Sequence, residues 1–239
     1  MSVAPRPAST VVLLRAADGP PEILMVRRSR GAAFMADAFV FPGGRVEPDD
    51  GEGEAGFRRA AVRETLEEAG VVVDESTLVL LSHWVTPSVE PKRFDTRFFL
   101  AVATPETAAK VDEREVTEHR WGTAQALLEA GTRGEIKLPP PTLATLVDLA
   151  PHATLEAAIT WSRDRPVAPI QPKVAMVDGR IAIVLPWDEE FAALEGEGAP
   201  IATDHPMLAT MAAEIRTGPT RFWLDDGRWK WIAELPSES

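Results

Sequence analysis

The residues with the most chemical potential lie in one short stretch, Arg63-Glu64-Thr65-Leu66-Glu67-Glu68-Ala69-Gly70-Val71. A helix turns about 100° per residue, so Glu64, Glu67 and Glu68 share an arc of roughly 100° on one face. Val62, Leu66 and Ala69 fall opposite and are expected to face a core. Carboxylates at i, i+3 and i+4 repel one another by about 0.3 kcal/mol per pair. A hard divalent cation reverses the sign of that interaction, and Mg²⁺ takes carboxylate oxygens together with water and substrate phosphates. By spacing alone a solvated acidic face is the commoner explanation. The segments that position the helix therefore have to decide.

Phe57 to Ala69 contains neither Pro nor Gly and is followed by Gly70, so a helix capped by Gly70 is predicted there. Glu47 to Gly56, with three Gly and five acidic residues, is expected to be a solvated loop. Phe39-Val40-Phe41 reads as a strand that stops at the sharp bend Pro42-Gly43-Gly44. Further strands are predicted over Thr10 to Leu14, Ile23 to Val26, Val71 to Val73, Leu78 to Val85, Phe98 to Val102 and up to Trp121. Helices follow over Ala124 to Ala130 and Thr142 to Ala150. Elements in this irregular order predict an α/β protein of the α+β type, a mixed sheet with helices on its faces. After Pro151 two hairpins are expected around Asp178-Gly179 and Asp226-Gly227, with a helix over Asp204 to Ile215 between them. The domain reading is 8–150 for the main domain and 151–239 for a C-terminal extension packed on it.

Pro42-Gly43-Gly44, an acidic loop and Arg-Glu-x-x-Glu-Glu-x-Gly together resemble the Nudix box. In that pattern a Gly is followed after five residues by Glu, and after seven more by Arg-Glu-apolar-x-Glu-Glu-x-Gly-apolar. Gly44 opens the box, and Arg63, Glu64, Glu67, Glu68, Gly70 and Val71 match its second half. Asp50 stands where the first Glu is expected, twelve residues instead of seven separate it from Arg63, and Thr65 takes the apolar slot. The loop thus carries five extra residues, and Asp50, Glu52 and Glu54 are all candidates for the first acidic role.

The resemblance implies a Nudix α/β/α sandwich and a metal-dependent hydrolase of a diphosphate joined to another group. It implies Mg²⁺ or Mn²⁺ held by Glu64, Glu67 and Glu68 with the Gly44 carbonyl, Glu64 binding metal or helping to activate water, and Arg63 orienting the carboxylates. The cation would polarise phosphate oxygens and lower the pKa of the attacking water. Family enzymes often add an acid from outside the box, for which Glu115 and Glu118 are the candidates; a solvated carboxylate is the alternative for each. A homodimer is also compatible with the family.

Upstream, Leu24, Met25, Arg28 and Ser29 match half of the signature of the family's coenzyme A diphosphatases, whereas Val26, Ala33 and Asp37 depart from it. Trp84-Val85-Thr86-Pro87, Arg93 to Phe99 and Gly134 to Thr142 resemble the branch that includes animal peroxisomal acyl-CoA diphosphatases. Arg28, Ser29, Arg93 and Arg97 are thereby expected to meet substrate phosphates. A basic strand end or solvent-facing strand positions are the alternatives. The substrate expected is CoA or acyl-CoA, with another nucleoside diphosphate derivative as the alternative. A binding protein on the same scaffold is the alternative from another class, and the three clustered acids speak against it.

Composition narrows the field. With 25 basic and 37 acidic residues the net charge is −12, which argues against general electrostatic binding of nucleic acid. Without Cys there are no disulfides, thiolate zinc sites or Cys nucleophiles. No apolar run is long enough for a spanning helix and Met1 to Thr10 lacks a signal-peptide core, so a cytoplasmic protein with no membrane partner is expected. His83, His119, His152 and His205 share no ligand spacing. A Gly-x-Ser-x-Gly elbow and a P-loop are both missing.

Overall fold

The first two apolar runs form a long hairpin, β1 (Arg6–Ala17) and β2 (Gly19–Arg28), in register at Leu14↔Ile23 and Arg15↔Glu22. The computed structural model describes residues 3–29, 31, 35–104, 116–177, 179–217 and 220–231. The main sheet adds β3 (Phe39–Val40), β4 (Gly43–Arg45), β5 (Val79–Val85), β6 (Phe94–Val102), β7 (Val116–Thr123) and β8 (Pro169–Ile170). Its order is β3-β2-β1-β6-β5-β8, with β4 on β1 and β7 on β2. The pairs β1·β6 and β5·β8 are parallel and the rest antiparallel, so the sheet is mixed as expected.

Helix α1 (Gly53–Ala69) covers one face of the sheet; α2 (Ala124–Thr132), α3 (Pro140–Leu149) and α4 (Leu155–Asp164) cover the other. β1 shows why. Val11 and Leu13 pack with Ala61, Ala69 and Phe99, while Val12 and Leu14 pack with Leu127, Leu146 and Leu149. A strand buried on both faces loses its polar alternation and reads as the continuous run Val11 to Leu14. Each such side chain contributes about 1.5–3 kcal/mol by leaving water.

Four expectations need correction. Helix α1 starts at Gly53, inside the segment expected to be solvated loop, and Pro48–Asp50 forms a 3₁₀ turn that buries Asp50. Leu66 is 49% exposed and does not face the core; Ala61, Thr65, Glu68 and Ala69 are the buried face. Small side chains let α1 approach the sheet, and the buried Thr65 hydroxyl is satisfied by donating to Ala61 O at 2.7 Å. Val71 and Val73 are buried, yet Val71 to Val73 makes no ladder and is not a strand.

The predicted helix Asp204 to Ile215 is broken into α5 (Pro206–Ala209) and α6 (Ala213–Thr217), because the Ala212 N–H turns away to donate to Asp148 Oδ1 at 2.8 Å. Helix α4, capped by the Thr154 hydroxyl, was not anticipated. Both Asp-Gly hairpins are present, as β9 (Lys173–Val177) with β10 (Arg180–Val184) and β11 (Arg221–Asp225) with β12 (Arg228–Lys230). Asp178 itself lies outside the described residues.

The apolar cluster on the α2–α4 side runs on through Trp187, Met207, Ile215, Phe222 and Trp231. Residues after 150 therefore share one core with those before it. Arg165 donates to Asp148 at 3.0 Å across the same seam, with both side chains buried. Among the described residues no helix is long and apolar enough to cross a membrane.

Candidate active site

The bend after β3 inserts its main chain between β1 and β2: Pro42 O accepts from Val11 N at 2.8 Å, and β4 pairs Ser9↔Gly44 and Thr10↔Gly43. Helix α1 lies over this edge, with Ser9 Oγ donating to Phe57 O at 2.6 Å. The two glycines serve close approach. A Cβ on Gly43 would stand 2.3 Å from Ser9 O, and one on Gly44 would stand 2.3 Å from the Glu64 carboxylate. Glu68, 5% exposed, accepts from Gly43 N at 2.9 Å and so joins α1 to the bend, while the Glu64 carboxylate packs against Gly44.

Arg63 organises the remainder. Its Nη1 donates to Glu64 Oε1 at 2.8 Å and to Glu67 Oε2 at 3.0 Å, and its Nη2 donates to Arg45 O at 2.8 Å. Its Nε and Nη2 also donate to Asp50, at 3.1 and 2.8 Å. Of the three acids in the lengthened loop, it is Asp50 that reaches Arg63; Glu52 and Glu54 are exposed, and Glu54 faces Arg58 at 3.5 Å. The Arg63 bonds hold the Asp50 carboxyl below the usual carboxylate range, and Asp50 in turn raises Arg63.

Among the described residues, no group of three or more acidic or imidazole side chains is gathered so that it could hold a metal ion as it stands. The donor set is nonetheless one of charged oxygens on one helix face, against a glycine wall where any Cβ would fill the space. Such an open, oxygen-only surface fits a hard cation that keeps water and phosphate in its remaining positions.

The other expected site residues are scattered. Glu118 is on strand β7, cross-strand from Arg27, and accepts from Arg27 Nη1 at 3.2 Å. Glu115 lies outside the described residues, as does Ala33 of the coenzyme A signature. Arg28 ends β2, where the pairing with β7 shifts register, and its Nε is buried without a partner among the described residues. Ser29 follows, half-buried, just after the strand.

Arg93 is not an available anion contact: it is 4% exposed and donates to Thr86 O at 3.0 Å and Val3 O at 2.8 Å. Arg97 lies two strands from Gly44, stacked 4.8 Å from the Phe57 ring centroid and paired with Asp95 at 2.7 Å. His83 shares that carboxylate at 2.6 Å, and together they hold Asp95 below its usual range. Asp37, which departs from the coenzyme A signature at a Gly position, adopts a φ of 63° and binds Arg27 at 2.6 Å. The backbone there has the left-handed form that Gly takes most readily.

A NUDIX domain model matches residues 4–140, more than half the chain. The chain belongs to the NUDIX family, and its fold is that of a Nudix hydrolase. It is 30% identical over 180 residues to a Caenorhabditis elegans protein named nudix hydrolase 7, covering 61% of this chain but only 60% of that relative's length. To the acyl-coenzyme A diphosphatase NUDT19 of Xenopus laevis it is 23% identical over 270 aligned positions, 71% of each chain. The crystal structure of a NUDIX hydrolase from Alicyclobacillus acidocaldarius superposes with a TM-score of 0.61 at 25% identity, covering 66% of this chain and 96% of that one.

Proposed function

We propose that this protein is a Mg²⁺- or Mn²⁺-dependent diphosphatase that cleaves CoA or acyl-CoA to a phosphopantetheine product and adenosine 3′,5′-bisphosphate. The observation that carries the chemistry is the set of bonds by which Arg63 aligns Glu64 and Glu67 beside the glycine wall. Glu64, Glu67, Glu68 and the Gly44 carbonyl would hold the cation, which when bound polarises phosphate oxygens and lowers the pKa of a water. Arg63 keeps the carboxylates oriented through charge-assisted hydrogen bonds. Glu64 would take a proton from the attacking water. Hydrolysis adds that water across the phosphorus–oxygen–phosphorus link: one phosphorus gains the hydroxyl, and the bridging oxygen leaves with the other.

The CoA half of the reading is supported by the partial signature ending in Arg28 and Ser29 and by the likeness to the Xenopus diphosphatase. Arg28 at the end of β2, whose Nε has no partner among the described residues, adds a guanidinium suited to a substrate phosphate. The test is product analysis by chromatography with CoA, acetyl-CoA, a medium-chain acyl-CoA, ADP-ribose, NADH and a nucleoside triphosphate. Adenosine 3′,5′-bisphosphate from the CoA members supports the reading. Cleavage confined to ADP-ribose or another nucleotide removes its substrate half.

A further inference from the structure

The residues that lengthen the connection from Asp50 to Arg63 form a built knuckle. After the 3₁₀ turn, Gly51 takes a φ of 82°, and Gly56 lies so close beneath it that a Cβ there would stand 2.4 Å from Gly51 O. Arg59, one helical turn before Arg63, reaches back over this knuckle. Its Nε donates to Asp50 O, and its Nη2 would stand 2.5 Å from a Cβ on Gly51. Asp50 is therefore gripped at both ends, by Arg59 on the main-chain oxygen and by Arg63 on the carboxylate. Residues at i and i+4 share a helix face, which is why two guanidiniums of α1 can reach one residue.

We propose that Arg59 is a positioning residue for the acidic site. By fixing the Asp50 main chain it sets the Asp50 carboxylate against Arg63, and so fixes the direction in which Arg63 presents Glu64 and Glu67. The glycines at 51 and 53 make this hold necessary, because a turn flanked by Gly has unusual backbone freedom to lose. Only the catalytic consequence rests on the diphosphatase reading; the carboxylate geometry does not.

The test compares full-length Arg59→Ala and Arg59→Lys with Arg163→Ala, an exposed arginine on α4. Three quantities are read: the thermal midpoint, Mn²⁺ affinity by calorimetry without substrate, and kcat and KM on whichever substrate the unaltered chain cleaves. Arg59→Ala is expected to weaken Mn²⁺ binding and lower kcat by about tenfold, the lower end for losing a partner that orients a ligand, with KM little changed. Arg59→Lys, which can still give Asp50 O one hydrogen bond, recovers part of the loss, and Arg163→Ala matches the unaltered chain. In an Asp50→Asn background, Arg59→Ala adds no further loss of Mn²⁺ affinity.

A lowered thermal midpoint with unchanged Mn²⁺ affinity overturns the proposal, and so does an equal loss in the Asp50→Asn background. Arg59-dependent Mn²⁺ binding without cleavage of CoA keeps the positioning role and removes the substrate reading. Cleavage that is indifferent to Arg59 does the reverse. If the unaltered chain binds no Mn²⁺, both fall.

Discussion

Asp50 and Arg63 lie thirteen positions apart and meet side-on, with Nε to Oδ1 at 3.1 Å and Nη2 to Oδ2 at 2.8 Å. Two parallel bonds between a planar guanidinium and a carboxylate fix direction as well as distance. The same guanidinium then bonds Glu64 and Glu67, so the side chain that anchors the loop also aims the acids. Asp50 is further held by Glu47 N, which donates to its Oδ2 at 2.8 Å.

This pairing predicts an acid-labile contribution to stability. Because Arg63 depresses the folded-state pKa of Asp50, the contribution is fully present above the unfolded value of about 3.9. It is lost as pH falls through the lower folded value. Thermal midpoints of Asp50→Asn are therefore expected to lie below those of the unaltered chain at pH 6, and the gap to close below about pH 4. A gap that persists unchanged at the lowest pH would contradict the assignment.

Gly44→Ala is expected to damage activity while leaving the fold intact. Its added methyl would fall 2.3 Å from the Glu64 carboxylate, which must swing away from its present place. Misplacing a reacting group by about 1 Å costs roughly a hundredfold, so kcat should fall by about that factor with the circular-dichroism spectrum unchanged.

How much of this is legible in the sequence depends on how local its cause is. Gly70 ends α1 with a φ of 66°, and Asp226-Gly227 turns its hairpin with φ of 48° and 71°; both follow from the residues on the spot. The spacing of Glu64, Glu67 and Glu68 likewise suffices to place them on one helix. Leu66 is misjudged because the buried arc of α1 is chosen by its fit to the sheet through Ala61, Thr65 and Ala69. The break at Ala212 is set by Asp148, sixty-four positions away, and no local signal announces it. Arg59 carries only a weak sign, its i+4 spacing from Arg63, because its partner is a main-chain oxygen.

The seam between α3 and α4 gives a prediction about stability alone. Arg165 and Asp148 are buried together, and Asp148 also accepts from Ala212 N. Arg165→Leu strands a buried carboxylate and should cost about 3–5 kcal/mol in urea denaturation. A cost under about 1 kcal/mol would mean that the pair is dispensable.

Chelation is expected to abolish hydrolysis, and added Mg²⁺ or Mn²⁺ to restore it, with the secondary structure unchanged throughout. The oxygens of Glu64, Glu67 and Glu68 are already aligned by Arg63 and the bend, so on the proposed reading the cation would complete the site without being needed for the fold. Far-ultraviolet circular dichroism before and after chelation checks the second half of that statement.

The central claim is tested most directly by incubating the unaltered chain and Glu67→Gln with CoA and Mg²⁺ or Mn²⁺, and separating the products by chromatography. Adenosine 3′,5′-bisphosphate formed by the unaltered chain, and slower by about a hundredfold or more with Glu67→Gln, is the predicted result. Equal product from both proteins, or release of the same product without any divalent cation, would contradict it.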